Sequence, residues 1–181
     1  MLNPQQVQQS LQEVEQTQTR SEQYLRYWRS GVIVQLWGVV WFCAYLGSYL
    51  APAHSGYCWL IADAAGMLGT AYLLSRQKNA SQPGDRRIWL AMAILVAFGI
   101  MVSTFIVHRP GAISVFWTSL FMLVYMLAGL WHGLRWTILG ASICVLTFIA
   151  YHFLAPWFDL AMALLAGGGL LLGGTWLRRA A

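Results

Sequence analysis

Charge is what this sequence has least of. Asp, Glu, Lys and Arg make up 9% of its 181 residues, against 59% hydrophobic, where a soluble domain carries about 25% charged residues. A water-soluble core of this size has no room for so much apolar surface, so lipid is the expected solvent and a soluble globular domain is excluded. Cysteine is nearly as scarce. Cys43, Cys58 and Cys144 form no C-x-x-C pair, which argues against a disulfide framework or a zinc site of ordinary spacing. Proline is rare too, and none of Pro4, Pro52, Pro83, Pro110 and Pro156 interrupts an apolar run.

The motifs of chemistry are also missing. The chain has no P-loop, no G-x-S-x-G, no H-E-x-x-H and no paired acid/base carboxylates, so hydrolysis and group transfer have little to work with and a non-enzymatic role is expected. No cofactor is implied, and nucleic-acid binding lacks a folded basic domain to host it. A cleaved secretory signal is not expected either, since the first apolar run begins near Gly31, after about thirty mostly polar residues.

What is present is apolar length. A helix needs about 20 mostly apolar residues to cross a bilayer. Six runs qualify: 31–50, 57–75, 88–107, 111–131, 136–154 and 158–177. Lipid leaves no partner for an unpaired backbone group, and no alternating barrel pattern appears, so these are helices. The expected fold is an all-α integral membrane protein, a six-helix bundle preceded by an N-terminal amphipathic helix over residues 1–30. Short turns with Pro52, Pro110 and Pro156 break the runs, as proline does at helix ends.

Orientation follows from the cations. Arg20, Arg26, Arg29, Arg76, Lys78, Arg86, Arg87, Arg135, Arg178 and Arg179 fall on one side of such a bundle, and Arg109 alone on the other. By the positive-inside rule both termini are expected in the cytoplasm. Compactness and short loops suggest a bacterial inner membrane. Trp28, Trp89, Trp131, Trp136 and Trp176 fall at one boundary, with Trp59 and Trp157 at the other, which reads as an aromatic belt.

Candidate sites are few. Asp63 is the one acidic residue well inside a run, and a carboxylate there is a functional hypothesis by default. It reads as a cation, proton or ligand contact, or else as a structural hydrogen bond; Gly66, Met67 and Thr70 share its helical face. Ridges at i,i+4 run along Trp37, Trp41 and Tyr45 and along Trp117, Phe121 and Tyr125. They suit a pocket for a flat or cationic ligand, or simple packing. His54, His108, His152 and Asp159 fall at the outer level, as candidates for a pH sensor or metal site. Small residues Ala62, Gly66 and Gly69, and Ala166, Gly169 and Gly173, make faces for close helix packing.

Residues 1–29 hold the largest polar segment. Val7, Leu11, Val14, Leu25 and Trp28 recur at helical spacing with balanced charge, which points to self-association or docking of a cytoplasmic protein partner rather than to a lipid-binding basic helix. A binding or regulatory protein acting through this helix is the leading expectation. The rival is a small-solute transporter or its substrate-binding subunit, using Asp63 with Thr70, Trp117 and Tyr125. In size and topology, six spans in 181 residues, the chain resembles the substrate-binding subunits of energy-coupling-factor vitamin transporters. That resemblance implies solute binding inside the bundle.

Overall fold

The computed structural model describes residues 28–76, 86–106, 108 and 111–179. The partner-helix residues Val7, Leu11, Val14 and Leu25 lie outside these. The described chain is entirely helical. Five helices are long and apolar enough to cross a membrane: α1 (Trp28–Leu50), α2 (Ser55–Arg76, entered through a 3-10 turn at Pro52–His54), α4 (Ala112–His132), α5 (Leu134–Phe153) and α6 (Ala155–Arg178). The remaining helix, α3 (Arg86–Ile106), has a shorter described apolar stretch, Leu90–Ile106. By length and hydropathy the protein is a multi-pass membrane protein.

The turns follow from local chemistry. Leu50-Ala51-Pro52 and Leu154-Ala155-Pro156 build the same device: a 3-10 turn with proline near its start, closed by His54 N–H to Ala51 O and by Trp157 N–H to Leu154 O at 2.9 and 2.8 Å. Proline suits a helix start because it has no N–H to leave unpaired. Gly133 joins α4 to α5 with φ of 112°, a conformation that costs glycine little. The α5 helix then starts at Leu134, ahead of the apolar run expected from 136. Arg135 sits in its first turn with its guanidinium over the Trp176 ring of α6, 5.3 Å from the ring centroid. An aromatic face is what lets a charge enter the helix ahead of the apolar run.

The core lies among α1, α4, α5 and α6, where Tyr45, Met122, Ile143, Met162 and Leu170 are almost fully enclosed. Glycine fixes the closest contact. A Cβ on Gly38 would stand 2.8 Å from the Leu171 backbone, one on Gly167 2.7 Å from the Phe42 backbone, and one on Gly174 2.7 Å from Gly31 O. The α1–α6 seam is therefore backbone against backbone, the small-residue packing that lipid favours. A π-helical turn at Ala163–Gly167 interrupts α6. It places Gly167 and Gly174 against α1 while Gly169 meets Ile143 of α5.

Helices α2 and α3 are peripheral. Among the described residues, α2 buries only Gly66 and α3 only Gly99. The first lies under the Trp37 ring of α1 and the second under the Trp117 ring of α4.

Candidate functional site

The two aromatic ridges meet. Helices α1 and α4 run in opposite directions, and their ridges share one pattern, Trp-x-x-x-aromatic-x-x-x-Tyr. At the crossing Trp41 meets Phe121 edge-on, with centroids 6.2 Å apart. Tyr45 and Thr118 share a hydrogen bond of 2.6 Å between their hydroxyls in a buried setting. Trp59 of α2 closes the near side, 4.8 Å from Tyr45 and 6.4 Å from Trp41. Trp117 stacks on Phe121 at 5.9 Å on the far side. These rings make a continuous wall from α2 across α1 and α4 towards α3. Edge-on pairs are the favoured geometry for aromatic rings.

Asp63 stands at this wall. Trp37 of α1 packs on Gly66 and donates its indole N–H to Thr70 Oγ1 at 3.2 Å, while Tyr45 faces Trp59. In that antiparallel register Asp63, between Trp59 and Gly66, comes level with Trp41. At about 1.5 Å per residue Asp63 lies about 12 Å from the Ser55 end of α2, and Trp41 and Phe121 about 13 Å from the corresponding ends of α1 and α4. Asp63 is half-buried and has no hydrogen bond or ion pair among the described residues. Two other polar groups in the same half of the bundle are also unspent. Ser48 Oγ and Ser119 Oγ are buried without a hydrogen-bond partner among the described residues, a state that costs free energy in a nonpolar interior.

Two matching contacts flank the wall. On α2, Thr70 accepts from Trp37 and donates to Gly66 O at 2.8 Å. On α3, Ser103 accepts from Trp117 Nε1 at 3.0 Å and donates to Gly99 O at 2.8 Å. Each is a G-x-x-x-hydroxyl pair on a peripheral helix, holding an indole of a central helix over the glycine. Inverted arrangements of this kind bring like groups to opposite depths.

The sequence-derived candidates divide accordingly. Asp63, Thr70 and Trp117 join the wall or its flanks. Tyr125, expected beside them, instead packs on Trp136 of α5 at 5.3 Å, towards the Gly133 end. Trp28 begins α1 and carries the Arg178 guanidinium over its ring at 5.2 Å. His54, His108 and His152 are exposed at the end opposite Gly133. His152 Nδ1 lies 2.9 Å from Phe148 O. Asp159 occupies the first turn of α6, where the helix dipole favours a carboxylate. No three metal-ligating side chains come together among the described residues.

Three participants escape a reading of the sequence. Trp59 falls near a helix end and is assigned to the interfacial belt, yet it packs inward on Tyr45. Thr118 and Ser103 are short hydroxyls within apolar runs and carry no signal alone. The signal available was the recurrence of Gly-x-x-x-Thr and Gly-x-x-x-Ser beside helices bearing Trp ridges. The chain matches no family model, and no curated protein or solved structure shows significant similarity to it.

Proposed function

We propose that this is a non-enzymatic membrane protein that binds a small organic cation inside the bilayer, as a transporter or a substrate-binding transport subunit. The observation that carries the reading is Asp63, a carboxylate level with an aromatic wall and without a partner among the described residues. A carboxylate held in lipid attracts a counter-charge, and ring faces attract cations that shed their water easily, quaternary ammonium groups above all. Together they select a monovalent organic cation over an anion or a neutral sugar.

The bundle sits in this reading with the Gly133 turn and both termini in the cytoplasm, as the ten cations argue. Docking through residues 1–29 falls, up to residue 27, outside the described residues and takes no part in it.

Purified protein in micelles, titrated with tetraethylammonium while tryptophan fluorescence is followed, should show a saturable change. Asp63→Asn should weaken that binding by about tenfold or more, the scale set by losing one charge pair away from water. Unchanged affinity in a folded Asp63→Asn variant would remove the basis of the proposal.

A further inference from the structure

The two indole–hydroxyl contacts differ in depth, and the difference bears on what becomes of a bound cation. Thr70 lies about 9 Å from the Arg76 end of α2, whereas Ser103 lies about 5 Å from the Ile106 end of α3, at the helical rise per residue. Those two ends belong to opposite faces of the membrane in the topology argued from the cations, where Arg76 shares a side with the Gly133 turn and the connection from α3 to α4 lies on the other. Asp63, Trp41 and Phe121 fall between the two depths. One contact therefore stands between the Asp63 level and the Gly133 end, and the other between that level and the Pro52 end.

The geometry points to alternating access: α2 and α3 are two gates, each latched by one indole–hydroxyl hydrogen bond, and the protein carries its cation across the membrane instead of only holding it. The inference rests on the binding reading above for what is carried, but not for how the gates work. Three features fit gates. Each latch is a single hydrogen bond, 3.2 Å for Trp37–Thr70 and 3.0 Å for Trp117–Ser103. Each joins a peripheral helix to a central one, and the peripheral helices are the two that bury least among the described residues. Each also seats an indole over glycine, Gly66 or Gly99, so the helix can withdraw without dragging a side chain past the ring. Rocking of one part against another around a central site is how inverted arrangements alternate access; Asp63 and Trp59 belong to α2 itself and Trp59 packs on Tyr45, so α2 pivots at their level and opens at its Arg76 end. An indole released from Thr70 or Ser103 leaves that hydroxyl bonded to its own glycine carbonyl, 2.8 Å away in both helices, so opening does not orphan it.

The test needs no ligand. In the full chain with Cys43, Cys58 and Cys144 replaced by serine, Asp63→Cys serves as a reporter for a membrane-impermeant thiol reagent, applied to sealed vesicles of either orientation. Thr70→Val should raise labelling from the Gly133 face by about threefold, the population shift that goes with losing one intramembrane hydrogen bond, and leave labelling from the Pro52 face unchanged or lower. Ser103→Ala should do the reverse. Thr70→Ser keeps the hydroxyl and should behave as the parent, which separates loss of the latch from loss of the fold. Equal effects of both variants on both faces, or no effect of either, would overturn the gating inference. Tetraethylammonium titration of otherwise wild-type protein carrying Asp63→Asn reports separately on the binding reading, so either claim can fail while the other stands.

Discussion

Among single residues, what matters is which polar groups are already spent on a partner. Tyr45 and Thr118 satisfy each other across the α1–α4 crossing at 2.6 Å. Truncating either leaves the other without its partner. A double-mutant cycle of Tyr45→Phe and Thr118→Val, read from unfolding in micelles, should give a coupling of about 0.6 kcal/mol, the average for such bonds between membrane helices, and at most about 1.7 kcal/mol. A coupling indistinguishable from zero would mean that the crossing is held by ring packing alone. Asp63 is visible in the sequence because an ionisable residue inside an apolar run stands out on any transfer scale. Ser103 and Thr118 are silent because a short hydroxyl in a helix can bond its own backbone and needs no neighbour. Only the structure shows which of them also reaches an indole or a phenol.

At the scale of elements, the glycine seam and the π-helical turn give opposite predictions for adjacent residues. A Cβ on Gly167 would press on the Phe42 backbone at 2.7 Å, whereas Gly168 has nothing within 4 Å. Gly167→Ala should destabilise the bundle by about 1–3 kcal/mol through overpacking. Gly168→Ala should be neutral or stabilising by up to about 1 kcal/mol, since alanine is the better helix former. Thermal unfolding of the two variants side by side decides the matter, and equal effects would place the seam elsewhere. The sequence makes the small faces of α2 and α6 legible, because glycine every three or four residues has one physical meaning in lipid. It conceals the extra residue in Ala163–Gly167, since no side chain there is incompatible with an ordinary α-turn.

At the scale of the whole molecule, hydropathy is the strongest signal, because lipid penalises every unpaired backbone group and so permits helices alone. The runs predicted from apolarity and the observed helices disagree chiefly at their ends. Helix α5 begins at Leu134, two residues before its apolar run, because hydrogen bonding sets a helix end while charge sets the end of a hydropathy window. How the helices are grouped is not legible in hydropathy. The central place of α1 and α4 and the peripheral place of α2 and α3 depend on which face of each helix meets glycine or a ring. The proposed orientation makes its own prediction: reporters fused within 51–54 or 154–157 should read as external, and one at Gly133 as cytoplasmic. The reverse assignment would contradict the cation count.

Native mass spectrometry of the protein released gently from its own membranes reads the Asp63 site without a supplied ligand. Bound small-molecule mass of a monovalent organic cation is predicted on the parent protein, and it should be absent from folded Asp63→Asn prepared in the same way. Asp63→Asn carrying the same cation as the parent, or a parent that takes up no tetraethylammonium when it is supplied in excess, would rule out cation binding at Asp63.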